Sequence, residues 1–245
     1  MTIAVIPPGS APRALVLPRG GVRATVIARY ADRAQPLSQR RAACVSVRAF
    51  AVLSYEAYRR VLTPVMQAVY RVEVRGQENV PPTGRLVVAG NHDSMLDPFL
   101  LAAVIPRPMR YLGKAELWTM PGLRWWLGTV EAIPVHRGRS DIVAISSAIE
   151  ALEAGEVVGI FPEGGVAREG PWLRGAARMA LATGAPLLPV RLLGTRKAFG
   201  RGRIAFPPLA ALIGEPIEVE RTEPTADLAR ELTDRLQAAV ESLGT

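Results

Sequence analysis

Short apolar runs alternate with longer amphipathic stretches over residues 71–245. Several runs are apolar at nearly every position, as expected for parallel strands that are buried on both faces. Strands are predicted at Arg71–Arg75, Arg85–Gly90, Met109–Leu112, Val130–His136, Val157–Phe161, Leu187–Leu193, Gly202–Phe206 and Pro216–Glu220. Helices are predicted at Pro98–Ile105, Pro121–Leu127, Ser140–Ala154, Leu173–Thr183 and Thr225–Leu243. This alternation predicts an α/β domain with a mostly parallel or mixed central sheet flanked by helices.

Residues 42–70 have a different pattern. They are broadly apolar, and charge occurs only at Arg48, Glu56, Arg59 and Arg60. The segment predicts one or two helices, with a break near Pro64, whose apolar surface is wider than an ordinary amphipathic stripe. Such helices either pack on the domain or lie in a membrane interface, where their arginines reach anionic head groups. The sequence leaves both interpretations open.

Positive charge is concentrated at the N-terminus. Of the net charge of +8, residues 1–50 carry +7, from eight arginines and one acid. Residues 1–41 are rich in proline, glycine and arginine and lack periodicity, which predicts a disordered basic leader. A start codon placed too early is the alternative. A nucleic-acid binder is disfavoured because Tyr30 is the one aromatic residue before Phe50, whereas bases need aromatic stacking platforms.

Several other classes of protein are disfavoured by what the sequence lacks. No uncharged stretch exceeds 12 residues, and a transmembrane helix needs about 20. Residues 1–20 do not read as a signal peptide, so the chain is expected to remain on the cytoplasmic side. One cysteine, Cys44, and two histidines are too few for a disulfide framework or a zinc cluster. Serine-hydrolase elbows, P-loops and complete dinucleotide fingerprints are also missing.

The segment Asn91–Pro98 has the strongest candidate chemistry. It follows an apolar run and precedes a predicted helix, so it presents His92 at the C-terminal end of a strand, where open α/β sheets keep their sites. Imidazole accepts a proton near neutral pH, and Asp97 can hold its second nitrogen and stabilise the imidazolium. Asp97 also precedes Pro98, so its alternative role is the N-cap of the helix.

Two further segments are candidates for binding an acceptor. Pro162–Gly165 is either a surface turn or a loop whose glycines let backbone N–H groups approach a phosphate or hydroxyl. Glu163 would then bind an acceptor hydroxyl or anchor the loop. Arg137 follows a strand and precedes a helix N-terminus, which suits a phosphate, although a solvated arginine is the alternative. His136 ranks below His92 because no carboxylate lies at a helpful spacing.

Taken in order, these segments resemble the glycerolipid acyltransferase family, typified by 1-acylglycerol-3-phosphate O-acyltransferase. The similarity covers about residues 71–215. It includes the family's His-(four residues)-Asp motif, its arginine block, its Phe-Pro-Glu-Gly block, a basic-residue–glycine step and a final proline block. In chain order these correspond to Asn91–Asp97, Ile133–Arg137, Phe161–Gly164, Leu173–Gly175 and Leu188–Val190.

The resemblance implies transfer of a fatty acyl group from acyl-CoA or acyl-carrier protein to the hydroxyl of a lysophospholipid, with 1-acylglycerol-3-phosphate as the first choice. It implies His92 as general base and Asp97 as the residue that orients it. No covalent acyl-enzyme is needed, because a thioester is already activated, and no cofactor or metal is expected. The remaining implied site residues bind the acceptor and its phosphate: Arg137, Glu163, Gly164, Gly165, Arg168 and Arg174.

Lipid substrates imply a peripheral or monotopic location on the cytoplasmic face of the cell membrane. The expected partners are the lipid surface, the acyl donor and the lysophospholipid. Residues 42–70 would form the membrane-interface segment, and residues 71–245 the acyltransferase domain.

One position departs from the family pattern. The third block usually continues Thr-Arg, and here it continues Gly165-Val166. Arg168 is the candidate substitute for the missing cation. Without such a substitute, the acceptor would be another lysolipid or a glycolipid, or the chain would be a catalytically silent lipid-binding relative.

Overall fold

The computed structural model describes residues 55–136, 142–168, 170–200 and 203–244, all within the unit that spans 48–245. The predicted leader over 1–41 lies outside the described residues, as do the first part of the 42–70 segment and Arg137.

Seven apolar runs form the central sheet. They are β1 Glu73–Arg75, β2 Leu86–Gly90, β3 Met109–Lys114, β4 Ile133–Val135, β5 Val157–Ile160, β6 Leu187–Leu193 and β9 Ala210–Ile213. The sheet order is β1-β9-β6-β2-β5-β3-β4, and every neighbouring pair is parallel except β6 and β9. The short strands β7 Phe199–Gly200 and β8 Arg203–Ile204 form a separate antiparallel pair. The predicted α/β fold with a mixed sheet is confirmed.

Helices cover both faces of this sheet. Residues 55–70 are helical and are called α1 here. The others are α2 Asp97–Val104, α3 Pro121–Thr129, α4 Ile142–Glu153, α5 Gly175–Thr183, α6 Thr195–Ala198 and α7 Ala226–Ser242. The last helix was predicted to begin at Thr225, and this residue is its N-cap, because the Thr225 hydroxyl accepts a hydrogen bond from the N–H of Leu228 at 3.3 Å.

The sheet separates two hydrophobic cores, because successive side chains of a strand point to opposite faces of the sheet. In β2, Leu86 and Val88 enter one core, whereas Val87 and Ala89 enter the other. The first core packs against α1, α2 and α3, and the second against α4, α5 and α7. β2 is buried at all five positions, which explains why its sequence is apolar throughout.

The strand predicted at Pro216–Glu220 is wrong, and the strand that joins the sheet is β9. Pro-Ile-Glu-Val-Glu alternates in the manner of a strand, but only Ile217 pairs, in an isolated bridge with Leu187. Val190 to Leu193 pair antiparallel with β9, and Ile217 faces Leu187, the first residue of β6, so residues 218–220 run past the start of that strand. The point at which the partner strand begins is not visible in the sequence of this segment alone.

The break predicted near Pro64 is also wrong, because α1 runs through this residue. Proline removes the hydrogen bond to the carbonyl of Arg60. Both residues are exposed, so water can solvate that carbonyl. No helix within the described ranges is both long enough and apolar enough to cross a bilayer.

Candidate active site

Asn91 fixes the base of the loop that follows β2. Its side chain extends the pairing of β2 with β6, because Nδ2 donates to the carbonyl of Leu192 at 2.9 Å and Oδ1 accepts from the N–H of Leu192 at 2.7 Å. The same Nδ2 donates to Oδ2 of Asp93 at 2.9 Å. Asp93 is therefore turned towards Asn91, and the adjacent His92 is left to pair with another carboxylate.

That carboxylate belongs to Asp97. Nδ1 of His92 lies 3.0 Å from Oδ2 of Asp97, which is fully buried. When Nδ1 donates to this oxygen, the lone pair of the imidazole is on Nε2, the nitrogen that can take a proton from an alcohol. The structure thus brings together the two residues that the sequence singled out.

The Asp97 carboxylate is held by the turn before α2. Oδ2 also accepts from the N–H of Ser94 at 2.7 Å, and Oδ1 has no hydrogen-bond partner among the described residues. Leu96, not Asp97, is the N-cap of α2, so the alternative prediction for Asp97 is wrong. As the first residue of the helix, Asp97 lies near its positive end. Within this buried site, His92 is the side chain that can compensate the negative charge of the Asp97 carboxylate.

A second loop, residues 161–168, closes over His92. The Phe161 ring stacks on the imidazole, with centroids 4.3 Å apart and an interplanar angle of 18°. The N–H of Ala167 donates to the carbonyl of His92 at 2.6 Å. β5, which this loop follows, is the direct neighbour of β2, so the C-terminal ends of the two strands present their loops side by side.

Glu163 lies on the backbone side of His92. Burial raises the pKa of Glu163 above its usual value. The backbone N–H of His92 faces this carboxylate and acts in the opposite direction, whereas the charge of Asp93 adds to the rise. Of its two predicted roles, anchoring the loop therefore has direct contacts in its favour.

Gly164 is required by the geometry of this turn. Its φ of 73° is in the left-handed region, and its N–H donates to the carbonyl of Phe161 at 3.0 Å. An added Cβ would lie 2.5 Å from Cδ1 of Leu173. The half-buried Gly165 follows directly. Both glycines therefore lie in the loop that contacts His92, and binding of an acceptor by this loop stays a prediction.

The predicted cations are placed differently from one another. Arg168 belongs to the same loop, and its Nη1 donates to the carbonyl of Glu163 at 3.2 Å. Arg174 instead donates to the carbonyl of Ala226, at the start of α7. Arg137 lies outside the described residues. Of the three arginines, Arg168 is the one with a contact inside the loop that covers His92.

Three residues at the site were not singled out from the sequence. Asn91 and Ser94 fix the loop that holds His92 and Asp97, and Phe161 covers the imidazole face. Asn91 and Phe161 lie within the family's blocks. The contact of Asn91 with Leu192 spans 101 positions along the chain, and that of Phe161 with His92 spans 69, so no pattern in the neighbouring sequence indicates either contact.

Comparison with known proteins agrees with this geometry. A family model described as Acyltransferase matches residues 71–193. The 1-acyl-sn-glycerol-3-phosphate acyltransferase of Bacillus subtilis is 32% identical over 178 residues, which cover 70% of this chain and 84% of that protein. The chloroplastic 1-acyl-sn-glycerol-3-phosphate acyltransferase BAT2 of Brassica napus is 27% identical over 170 residues, and the chain spans about half of its length, 49%.

A solved structure has the same fold. The crystal structure of the 1-acyl-sn-glycerophosphate acyltransferase PlsC from Thermotoga maritima superimposes with a TM-score of 0.62 at 24% sequence identity. The match covers 76% of this chain and 77% of that one.

Proposed function

Since the chain belongs to the acyltransferase family, we propose that it transfers a fatty acyl group from a thioester to the hydroxyl of a lysophospholipid. The proposed acceptor is 1-acylglycerol-3-phosphate, which gives phosphatidate. The donor is acyl-CoA or acyl-carrier protein. The single observation that supports this reaction best is the His92–Asp97 pair, with 3.0 Å between Nδ1 and Oδ2, in the loop after the C-terminal end of β2.

His92 acts as the general base. Nε2 takes the proton of the acceptor hydroxyl while the hydroxyl oxygen attacks the thioester carbonyl carbon. The tetrahedral intermediate then collapses, the carbon–sulfur bond breaks, and the imidazolium returns the proton to the leaving thiolate. Asp97 stabilises the imidazolium between these steps. General base catalysis of this kind contributes roughly 10²–10⁴-fold in rate, and no resident cofactor is needed.

The acceptor binds beside the loop over residues 161–168. Arg168 is the cation of this loop, and Arg137 and Arg174 are the further candidates for the phosphate. A guanidinium suits this role because it offers several donors in a fixed plane. Glu163 and the two glycines shape the loop so that backbone N–H groups can approach the acceptor.

A second acceptor class is favoured by one observation. Gly165 and Val166 replace the usual Thr-Arg of the family block, and Val166 is 42% exposed. An apolar side chain at this position would suit another lysolipid or a glycolipid better than a phosphate monoester.

The proposed enzyme works as a peripheral or monotopic protein at the cytoplasmic face of a membrane. Helix α1 supports this location, because Tyr55, Met66 and Tyr70 are buried whereas Val61 and Val65 are 66% and 51% exposed. An apolar face in this position suits an interfacial helix, and arginines near anionic lipid add about 1 kcal/mol each.

The experiment is an acyl-transfer assay with mass spectrometry of the lipid product. Wild-type protein is supplied with acyl-CoA or acyl-carrier protein and a panel of lysolipids that includes 1-acylglycerol-3-phosphate. We expect phosphatidate and free thiol, and we expect His92→Ala to reduce both at least 10²-fold. The other histidine provides the matched control, because His136→Ala should keep its turnover.

Near-normal turnover in His92→Ala would refute the mechanism. A product from a different lysolipid would establish the second acceptor class. Binding of lysolipid without turnover in the wild-type protein would instead identify a catalytically silent lipid-binding relative.

A further inference from the structure

The Phe161 ring covers one face of the catalytic imidazole. With centroids 4.3 Å apart and planes within 18°, the two rings lie nearly parallel. Asp97 occupies the edge of the imidazole at Nδ1, so the stacked face and the paired edge leave Nε2 as the nitrogen available to an acceptor. The stacked face is covered by a side chain that has no proton to exchange.

Phe161 is itself firmly held. It directly follows the buried strand β5, its carbonyl accepts from the N–H of Gly164 at 3.0 Å, and its side chain packs against the first core. A ring fixed in this way limits rotation of the imidazole about its Cβ–Cγ bond. Nδ1 is thereby kept in line with Asp97.

A stacked aromatic face also responds to charge. The face of a phenyl ring is electronegative, and a cation within about 6 Å of its centroid is attracted to it. A general base is neutral before it takes the acceptor proton and, for imidazole, cationic afterwards. The attraction is thus stronger in the charged intermediate than in the ground state, which is the condition for accelerating a reaction.

We propose that Phe161 is a positioning residue that aligns His92 with Asp97 and stabilises the imidazolium through its ring face. The proposal rests on the proposed function for its catalytic consequence, but its physical content, a stacking partner that favours the protonated ring, does not depend on any substrate.

Other charged groups around His92 act on the same equilibrium. Asp97 pairs with the ring, Glu163 lies against the backbone N–H, Asp93 neighbours Glu163, and the Arg168 guanidinium contacts the carbonyl of Glu163. Substitution of Phe161 changes none of these groups. A difference between variants therefore reports on the ring face.

The test is an NMR titration of the histidine ring signals, which is simple because the chain has only two histidines. In Phe161→Leu we expect the titration midpoint of His92 to move to lower pH by about half a unit, a roughly threefold loss of proton affinity. Pentafluorophenylalanine at position 161 keeps the shape of the ring but reverses its quadrupole, and should produce a shift at least as large. Phe161→Tyr keeps the ring face and should restore the wild-type midpoint.

Two references separate this effect from a general disturbance. His136 should titrate unchanged in every variant. Phe206→Leu removes an exposed aromatic ring that packs on Tyr70 and should leave His92 unchanged. Identical His92 midpoints in the wild type, Phe161→Leu and the pentafluoro variant would overturn the proposal.

Kinetics then link the ring to catalysis. Phe161→Leu should lower kcat several-fold with little change in either KM, and the acid limb of its pH–rate profile should move in the same direction as the NMR midpoint. Unchanged kcat alongside a shifted midpoint would overturn the catalytic part alone. The NMR readout needs no acyl transfer, so a failure of the proposed function would be seen separately, as absence of turnover in the wild type.

Discussion

At the scale of single residues, His92 is oriented by three residues from two parts of the chain, the start of α2 and the loop over residues 161–168. Asp97 holds its ring edge, Phe161 covers its ring face, and Ala167 holds its backbone carbonyl. A general base works only if its lone pair points at the proton it removes, so each of these contacts limits one motion that would misdirect Nε2. In the proposed mechanism His92 alone takes the proton, but several residues fix the orientation of its ring.

Glu163 gives a prediction for stability against pH. Burial raises its pKa, so the folded state binds the proton more tightly than the unfolded chain does, and the ionised carboxylate costs stability above the raised pKa. Glu163→Gln keeps an oxygen that can face the His92 N–H but removes the charge. We expect its melting temperature to exceed that of the wild type at about pH 7, and the gain to disappear at about pH 3, where the carboxyl is protonated in both states.

Thermal denaturation followed by circular dichroism measures this difference. The exposed Glu218 provides the control, because Glu218→Gln should match the wild type at both pH values. A lower melting temperature for Glu163→Gln near neutral pH would mean that the negative charge itself anchors the loop.

Arg168 gives a prediction for acceptor binding. A charge-assisted hydrogen bond is worth roughly 1.5–3 kcal/mol, so Arg168→Ala should raise the KM for a phosphate-bearing acceptor about tenfold or more and leave the KM for the acyl donor unchanged. Arg137→Ala should have the same signature. Arg178→Ala, which removes an exposed arginine from α5, is the control for loss of charge alone. Equal changes in both KM values would show that Arg168 does not discriminate the acceptor.

At the scale of elements, α1 packs on the domain, as one of the two interpretations of residues 42–70 predicted, and the membrane-interface interpretation stays a prediction. One side of the helix packs into the first core, and the other leaves valines in contact with solvent. Tyr58 lies edge-on to Trp126, with centroids 6.5 Å apart, which attaches α1 to α3. An interfacial helix that is fixed to its domain in this way would hold the catalytic loops at a constant distance from the lipid.

The exposed side of α1 can be tested by vesicle flotation. Val61→Glu combined with Val65→Glu places two charges on this side without touching the buried residues. Burial of a valine side chain is worth about 1.5 kcal/mol or more, so we expect at least a tenfold loss of partitioning onto vesicles that contain anionic lipid. Val143→Glu is the matched control, since Val143 is 72% exposed on α4, on the opposite face of the sheet. Unchanged partitioning of the double variant would exclude this side as a membrane contact.

At the scale of the whole molecule, the two cores share one sheet. Leu100 belongs to the first core and Leu236 to the second, and both are fully buried. Because β2, β5 and β6 each contribute buried residues to both cores, loss of packing on one face also weakens the other. The described residues should therefore unfold as one cooperative unit.

Urea denaturation tests this coupling. Leu100→Ala and Leu236→Ala should each lower the free energy of unfolding by about 2.7–5 kcal/mol, in a single transition that tryptophan fluorescence and circular dichroism report alike. Ile142→Ala, at a position 73% exposed, should change it by less than about 0.5 kcal/mol. Separate transitions in either leucine variant would show that the two cores are independent.

The sequence by itself determined the local features of this protein. Apolar runs predicted six of the seven strands of the central sheet, and Thr225 predicted the start of α7. The position of His92 and Asp97 at a strand–loop–helix junction predicted the pair whose Nδ1 and Oδ2 atoms lie 3.0 Å apart. These features are readable because period, turn chemistry and capping act between residues close together in the chain. Only the tertiary structure decided that β9 and not residues 216–220 joins β6, that β5 lies beside β2, and that Phe161 therefore stacks on His92. Strand order and strand ends depend on pairing and packing between segments far apart in sequence, which a local pattern does not report.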